Sequence, residues 1–65
     1  METGKVKWFS AQVGCGFITA DNGGTVLFVQ RKSIQTGAAL KKHQKVVFQA
    51  TEGPSGLQAD KVRPL

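Results

Sequence analysis

The chain has 65 residues, of which nine are Lys or Arg and only four are Asp or Glu, so its formal net charge is +5. A domain of about 60 residues buries only about 60% of the surface of its unfolded chain, which leaves little room for a deep catalytic cleft. We therefore expect residues 1–65 to form a single domain. The basic charge favours an anionic partner. The sequence contains no apolar run of about 18 residues that could span a membrane.

The first predicted element is a β-strand over residues 4–9. It begins by alternating Lys, Val and Lys, which is typical of a strand with one buried face. Trp8 and Phe9 then interrupt the alternation, which predicts a bulge that directs the two rings to different faces. Residues 14–20 predict a second strand, with Cys15 and Phe17 on the outer face. The two strands together predict a β-hairpin whose outer face is basic and aromatic.

Turn-forming sequences separate the remaining strands. Residues 21–24, Asp-Asn-Gly-Gly, are the clearest turn, because Asn-Gly tolerates the positive φ of a hairpin turn. A single helical turn is predicted at residues 31–34 and a longer loop at residues 35–44. The five predicted strands are residues 4–9, 14–20, 25–30, 45–51 and 57–62. Short strands with Gly-rich turns and no long helix predict an all-β fold, a small barrel.

The alternation within each strand also predicts the core. The side chains expected inside are mostly aliphatic: Val6, Phe9, Ile18, Leu27, Val29, Ile34, Val46, Phe48 and Val62. Phe17 and Phe28 fall on outer faces instead, where they would form an exposed apolar patch, and such patches tend to be functional.

Cations beside exposed rings are what a single-stranded nucleic acid requires, because cations bind phosphates and flat rings stack on bases. The sequence places Lys5, Lys7 and Trp8 on the same hairpin as Phe17. Two alternatives stay open at this point. A lone Trp is often buried in a small barrel, and lysines on a strand can be solvated edge charges. The charged run at residues 41–43, Lys-Lys-His, is interpreted as a solvated loop with at most a long-range steering effect.

Several segments resemble the bacterial cold-shock proteins, and together they cover nearly the whole chain. They are Gly4-Lys5-Val6-Lys7-Trp8-Phe9, Gly14-Cys15-Gly16-Phe17-Ile18, Leu27-Phe28-Val29, Ser33-Ile34-Gln35 and the hairpin at residues 52–62. The resemblance implies an OB-fold, a five-stranded antiparallel Greek-key barrel. It also implies binding of single-stranded RNA and DNA, and a role as an RNA chaperone or transcription antiterminator. Lys7, Trp8, Phe17 and Phe28 match positions that contact nucleic acid in that family.

The chain departs from the family pattern at several of its ring positions. Cys15 stands where the family usually has Phe, Gln30 where it has His, and Arg31 where it has a second Phe. Val13 replaces a Lys, Ala38-Ala39 stands where an aromatic residue is frequent, and Leu57 where Pro is common. Because Arg31 can stack on a base and contact a phosphate, we expect a surface dominated by charge rather than stacking. The candidate nucleic-acid-binding residues are Lys5, Lys7, Trp8, Phe17, Phe28, Gln30 and Arg31, with Lys32 as a further phosphate contact.

The single cysteine, Cys15, excludes an internal disulfide. This and the lack of a signal-peptide pattern at the N-terminus predict a cytoplasmic protein. Cys15 is interpreted as a small neutral substitution, with an exposed thiol able to oxidise or cross-link two copies as the alternative. The four carboxylates are scattered and His43 is the only histidine, so the sequence predicts no enzyme, no metal site and no cofactor. The alternative function is a degenerate barrel that serves as a protein-protein or self-association module; either way we expect a monomer or weak homodimer.

Overall fold

The computed structural model describes residues 1–37, 39–54 and 56–65. A 3₁₀ turn at Arg31–Ser33 follows the third strand, where the sequence predicted a helical turn. The predicted loop residue Ala38 lies outside the described residues. The strands are β1 (Glu2–Ser10), β2 (Cys15–Ala20), β3 (Val26–Gln30), β4 (Lys45–Gly53) and β5 (Gly56–Pro64). β1, β4 and β5 extend beyond their predicted ends, because pairing with neighbouring strands continues where the alternation of side chains stops.

The strands form a closed barrel in the order β1-β2-β3-β5-β4, which confirms the predicted five-stranded barrel. Four of the pairings are antiparallel, and the fifth, between β3 and β5, is parallel. An odd number of strands cannot alternate direction all the way around a closed ring, so one parallel pair is unavoidable. Closure leaves none of the described strands with an unpaired edge. Unpaired edges are a common route to aggregation.

Inward-facing residues of every strand fill the barrel interior. They alternate along β1 to β4, whereas the buried residues of β5, Ala59 and Val62, are three positions apart. Phe9, predicted as core, is half-buried and packs against the edge of the core, whereas Leu40 anchors the long loop inside. The buried side chains are Val6, Ile18, Ala20, Leu27, Val29, Ile34, Leu40, Val46, Phe48, Ala59 and Val62. The other predicted core residues are therefore confirmed, and Ala20, Leu40 and Ala59 are additional. No helix in the described part of the chain is long and apolar enough to cross a membrane.

The predicted bulge in β1 is present between Val6 and Trp8. Val6 pairs with Ile18 and Trp8 pairs with Phe17, so Lys7 is one extra residue on the β1 side. The bulge puts both Lys7 and Trp8 on the outer surface while the next residue turns back towards the core. Gly16 allows β2 to lie close to the backbone of β1 beside the bulge, because a Cβ atom at that position would overlap the Trp8 carbonyl oxygen.

Candidate functional site

Three rings form a continuous row across β1, β2 and β3, which we call the aromatic row. Trp8 pairs with Phe17, and Phe17 pairs with Phe28. The ring centroids are 5.5 Å apart in the first pair and 5.7 Å in the second, with interplanar angles of 61° and 64°. This edge-to-face arrangement is favourable for aromatic pairs.

The aromatic row lies on the outside of the barrel because of the local sequence. Phe17 and Phe28 are each flanked by two residues that point inward, so the strand alternation directs both rings outward. The bulge does the same for Trp8, which is 43% exposed, so the alternative that Trp8 is buried in the core is wrong. Phe17 and Phe28 are half-buried, since each ring is partly covered by its neighbours in the row.

A second row lies beside the aromatic row on the same face and consists of Ser10, Cys15 and Gln30. Ser10 pairs with Cys15, and Cys15 pairs with Gln30. Cys15 and Gln30 are the positions where the cold-shock pattern has Phe and His. Two of the departures are therefore direct neighbours in one row, while the aromatic row beside them is complete.

Cys15 and Gln30 of this second row border an open cavity of about 500 Å³, which we call the loop cavity. The β1–β2 loop forms one side of it, and the 3₁₀ turn forms the other. Phe28 contributes to the wall, so the loop cavity touches one end of the aromatic row. Its lining residues are Ala11, Gln12, Val13, Gly14, Cys15, Phe28, Gln30, Arg31 and Lys32.

Arg31 connects the two sides of the loop cavity. Its guanidinium donates a hydrogen bond of 2.6 Å to the carbonyl oxygen of Ala11, and its backbone N–H donates one of 2.8 Å to the carbonyl oxygen of Gly14. The guanidinium is thus partly committed to the loop backbone, which differs from the expected role as a free stacking group. A guanidinium has five N–H groups, and the bond to Ala11 uses one of them.

Most of the described surface cations have no carboxylate partner. The one ion pair among the described residues joins Lys45 Nζ to Asp21 Oδ2 at 2.7 Å. The hydrogen bond from Lys45, followed by the one from the Thr3 hydroxyl, lowers the pKa of the Asp21 carboxyl below its ordinary value. The four candidate phosphate contacts make no ion pair within the described part of the chain: Lys5, Lys7, Arg31 and Lys32.

The turn at residues 41–43 lies against β1, and the sequence interpretation missed this. The backbone N–H of His43 donates to the Val6 carbonyl at 2.8 Å, and the N–H of Val6 donates to the Gln44 carbonyl at 2.9 Å. Lys42 and His43 thereby reach a second cavity, of about 440 Å³, which we call the lysine cavity. Trp8 lines it, so the lysine cavity touches the opposite end of the aromatic row. The charge run was visible in the sequence, but its position depends on a long-range backbone contact.

Gln58 of β5 was also missed. It pairs with Phe28 in the parallel β3–β5 pairing and extends the line of the aromatic row onto a fourth strand. Within the described ranges, no group of three or more His, Cys, Asp or Glu side chains is close enough to hold a metal ion. Cys15 is a half-buried free thiol.

Comparison with known proteins gives similarities of three kinds: to a family, to curated relatives and to a solved structure. The family described as 'Cold-shock' DNA-binding domain matches residues 2–65. The cold shock-like protein CspA of Stigmatella aurantiaca is 46% identical over 100% of this chain and 98% of its own length, and the CspA of Bordetella pertussis is 46% identical over the full length of both. A solved structure of Drosophila Unr, titled CSD456, matches 98% of this chain with a TM-score of 0.78 at 23% identity. This chain spans 26% of that longer chain, and the likeness is one of fold.

Proposed function

The chain belongs to the cold-shock DNA-binding domain family, whose members bind nucleic acid, and from that premise we propose that it binds single strands through the aromatic row and its flanking cations. The observation that carries the proposal is the row itself: three neighbouring rings on the outside of a barrel with a net charge of +5. Bases stack on rings regardless of sequence, because every base has a π-face, so we expect low sequence specificity.

The spacing of the rings favours a single strand over a duplex. Successive centroids are 5.5 and 5.7 Å apart, whereas bases in a duplex follow one another at about 3.4 Å per strand. Bases that contact successive rings are therefore pulled apart from each other, which a paired helix does not allow. Binding the open strand but not the duplex shifts the pairing equilibrium by mass action.

The proposed surface is dominated by charge. Cys15, Gln30 and Arg31 remove rings from the family pattern, and each stacked base is worth about 1–3 kcal/mol. Lys5, Lys7, Arg31 and Lys32 compensate as phosphate contacts in this proposal. Three or four such contacts give a slope of log affinity against log salt of about −2 to −3 for a single strand.

The loop cavity adds a second mode of base recognition to the proposal. Gln30 carries an amide with both donors and an acceptor, which pairs well with the edge of adenine. A base that enters the loop cavity from Phe28 would meet this amide where the family pattern supplies a ring. Hydrogen bonds at Gln30 would then replace part of the lost stacking energy.

The cellular role that fits this activity is that of an RNA chaperone in the cytoplasm, with antitermination as a consequence of melting weak RNA hairpins. Such a role requires no cofactor and no catalytic step, because trapping the open strand is sufficient. Membership of the family and the proposed single-strand preference support this role. The RNA-chaperone role is tested by hairpin melting in the presence of the protein.

The binding proposal is tested by titrating the fluorescence of Trp8, the only tryptophan, with oligothymidine and oligouridine at two salt concentrations. Quenching that weakens steeply with salt supports the row and the charge-dominated surface. Quenching that is independent of salt contradicts the charge-dominated part. Absence of quenching at tens of micromolar oligonucleotide, in folded protein, contradicts the binding proposal. A concentration-independent dimer in light scattering would then favour the self-association alternative.

A further inference from the structure

The lysine cavity combines an aromatic wall with cations from two separate parts of the chain. Lys5 and Lys7 project from β1, and Lys42 projects from the turn at residues 41–43. Trp8 and Thr19 complete the side that faces the aromatic row. A volume of about 440 Å³ lies within the range of pockets that hold small ligands, about 300–1,000 Å³.

The backbone holds Lys42 at this position from both sides. Residues 43 and 44 are hydrogen-bonded to Val6, as described above, and Leu40 is buried immediately before the turn. The turn is closed by a hydrogen bond of 2.9 Å from the Lys41 N–H to the side-chain oxygen of Gln44. Lys41 does not line the cavity, although it is adjacent in sequence and has the same charge.

None of the three lysines forms an ion pair with a described carboxylate. Like charges that converge on one cavity repel each other, and an anion placed between them relieves that repulsion. The apolar wall formed by Trp8 suits a sugar or base, and the lysines suit a phosphate. These features together fit one nucleotide better than an inorganic anion, which would leave the indole uncovered.

We propose that the lysine cavity is an additional nucleotide subsite, in which a single strand that leaves the aromatic row at Trp8 places its next phosphate between Lys42 and the lysines of β1. The proposal rests on the proposed function and extends it. It assigns nucleic-acid binding to the turn at residues 41–43, which is not needed for stacking on the aromatic row. It also places cations at both ends of the row, with Arg31 and Lys32 at the Phe28 end.

The subsite makes the contribution of Lys42 depend on the length of the bound strand. A trithymidine fills the aromatic row first, because stacking contributes more than one phosphate contact, whereas an octathymidine reaches the lysine cavity as well. Loss of one phosphate contact makes the salt slope shallower by about 0.7 and lowers affinity about fivefold at about 0.1 M salt. The effect of Lys42 is therefore expected with the longer strand and not with the shorter one.

The test compares Lys42→Gln with Lys41→Gln, which makes the same charge change one residue away. Fluorescence anisotropy of labelled trithymidine and octathymidine gives affinities and salt slopes, and thermal melting shows that both variants are folded. We expect only Lys42→Gln to weaken octathymidine binding and flatten its salt slope, with trithymidine binding unchanged. Equal effects of the two variants, or an equal loss with both strand lengths, would overturn the subsite. Failure of the wild type to bind either strand would instead contradict the proposed function itself.

Discussion

Phe17 is the ring on which the proposed binding surface depends most, because it sits between the other two members of the aromatic row. Its centroid is 5.5 Å from that of Trp8 and 5.7 Å from that of Phe28. Replacing Phe17 by a non-aromatic side chain removes the central stacking surface. Stacking is worth about 1–3 kcal/mol per base, so the Kd for octathymidine should rise about 5- to 150-fold.

The same substitution also affects stability, and the two effects must be separated. Each edge-to-face contact is worth about 0.5–1.5 kcal/mol, so Phe17→Ala should destabilise the fold by about 1–3 kcal/mol. For a domain of this size, Tm falls by about 4–8 °C per kcal/mol. Phe17→Leu keeps an apolar side chain of similar size without a ring, so we expect it to retain more stability than Phe17→Ala.

The assay is anisotropy of labelled octathymidine well below the Tm of each variant, with melting followed by circular dichroism. We expect both variants to lose affinity to a similar extent although their Tm values differ. If Phe17→Leu binds as tightly as the wild type, the aromatic row does not stack bases and the argument from ring spacing fails. If affinity follows Tm across the two variants, the loss reflects unfolding rather than stacking.

Three further predictions concern Gly16, the ion pair of Asp21 with Lys45, and Arg31. Gly16→Ala should lower Tm by about 10 °C, because the new methyl group meets the Trp8 backbone and over-packing costs about 1–3 kcal/mol. An unchanged or raised Tm in a melting experiment would contradict the close approach of β2 to the backbone of β1. Asp21→Asn should lower the urea midpoint at neutral pH, since the depressed pKa of Asp21 means that its carboxylate stabilises the fold above its unfolded pKa of about 3.9. The difference from the wild type should disappear as the pH falls through the folded pKa, and a difference that persists in acid would exclude the pair with Lys45 as its cause. Arg31→Met should make the salt slope of octathymidine binding shallower by about 0.7, whereas an unchanged slope would show that the guanidinium serves only to hold the β1–β2 loop.

The faces of the strands could be predicted from the sequence because they depend on local alternation. Phe17 and Phe28 each lie between two inward-facing residues, and the alternation breaks at Trp8-Phe9, next to the bulge at Lys7. These features need only the period of two that a pleated strand imposes.

The features that were missed depend on contacts between distant segments. Lys42 lies near Trp8 only because the following residues bond to the backbone of β1. Gln58 meets Phe28 through the parallel pairing that closes the barrel. The hydrogen bond from Arg31 to the Ala11 carbonyl joins residues 20 positions apart. No local pattern encodes such contacts, because they follow from which strands become neighbours.

In the proposed function, the arrangement of the site lets a surface with fewer rings still prefer single strands. Two of the departures, Cys15 and Gln30, fall beside the aromatic row rather than within it, so in the proposed function the bases of an open strand keep three rings to stack on. Cations are placed around both the loop cavity and the lysine cavity, which touch opposite ends of that row. A duplex offers the same phosphates to these cations but cannot spread its bases over rings 5.5 Å apart. In this proposal the cations therefore set how strongly the protein binds at a given salt concentration, and the rings set its preference for unpaired strands.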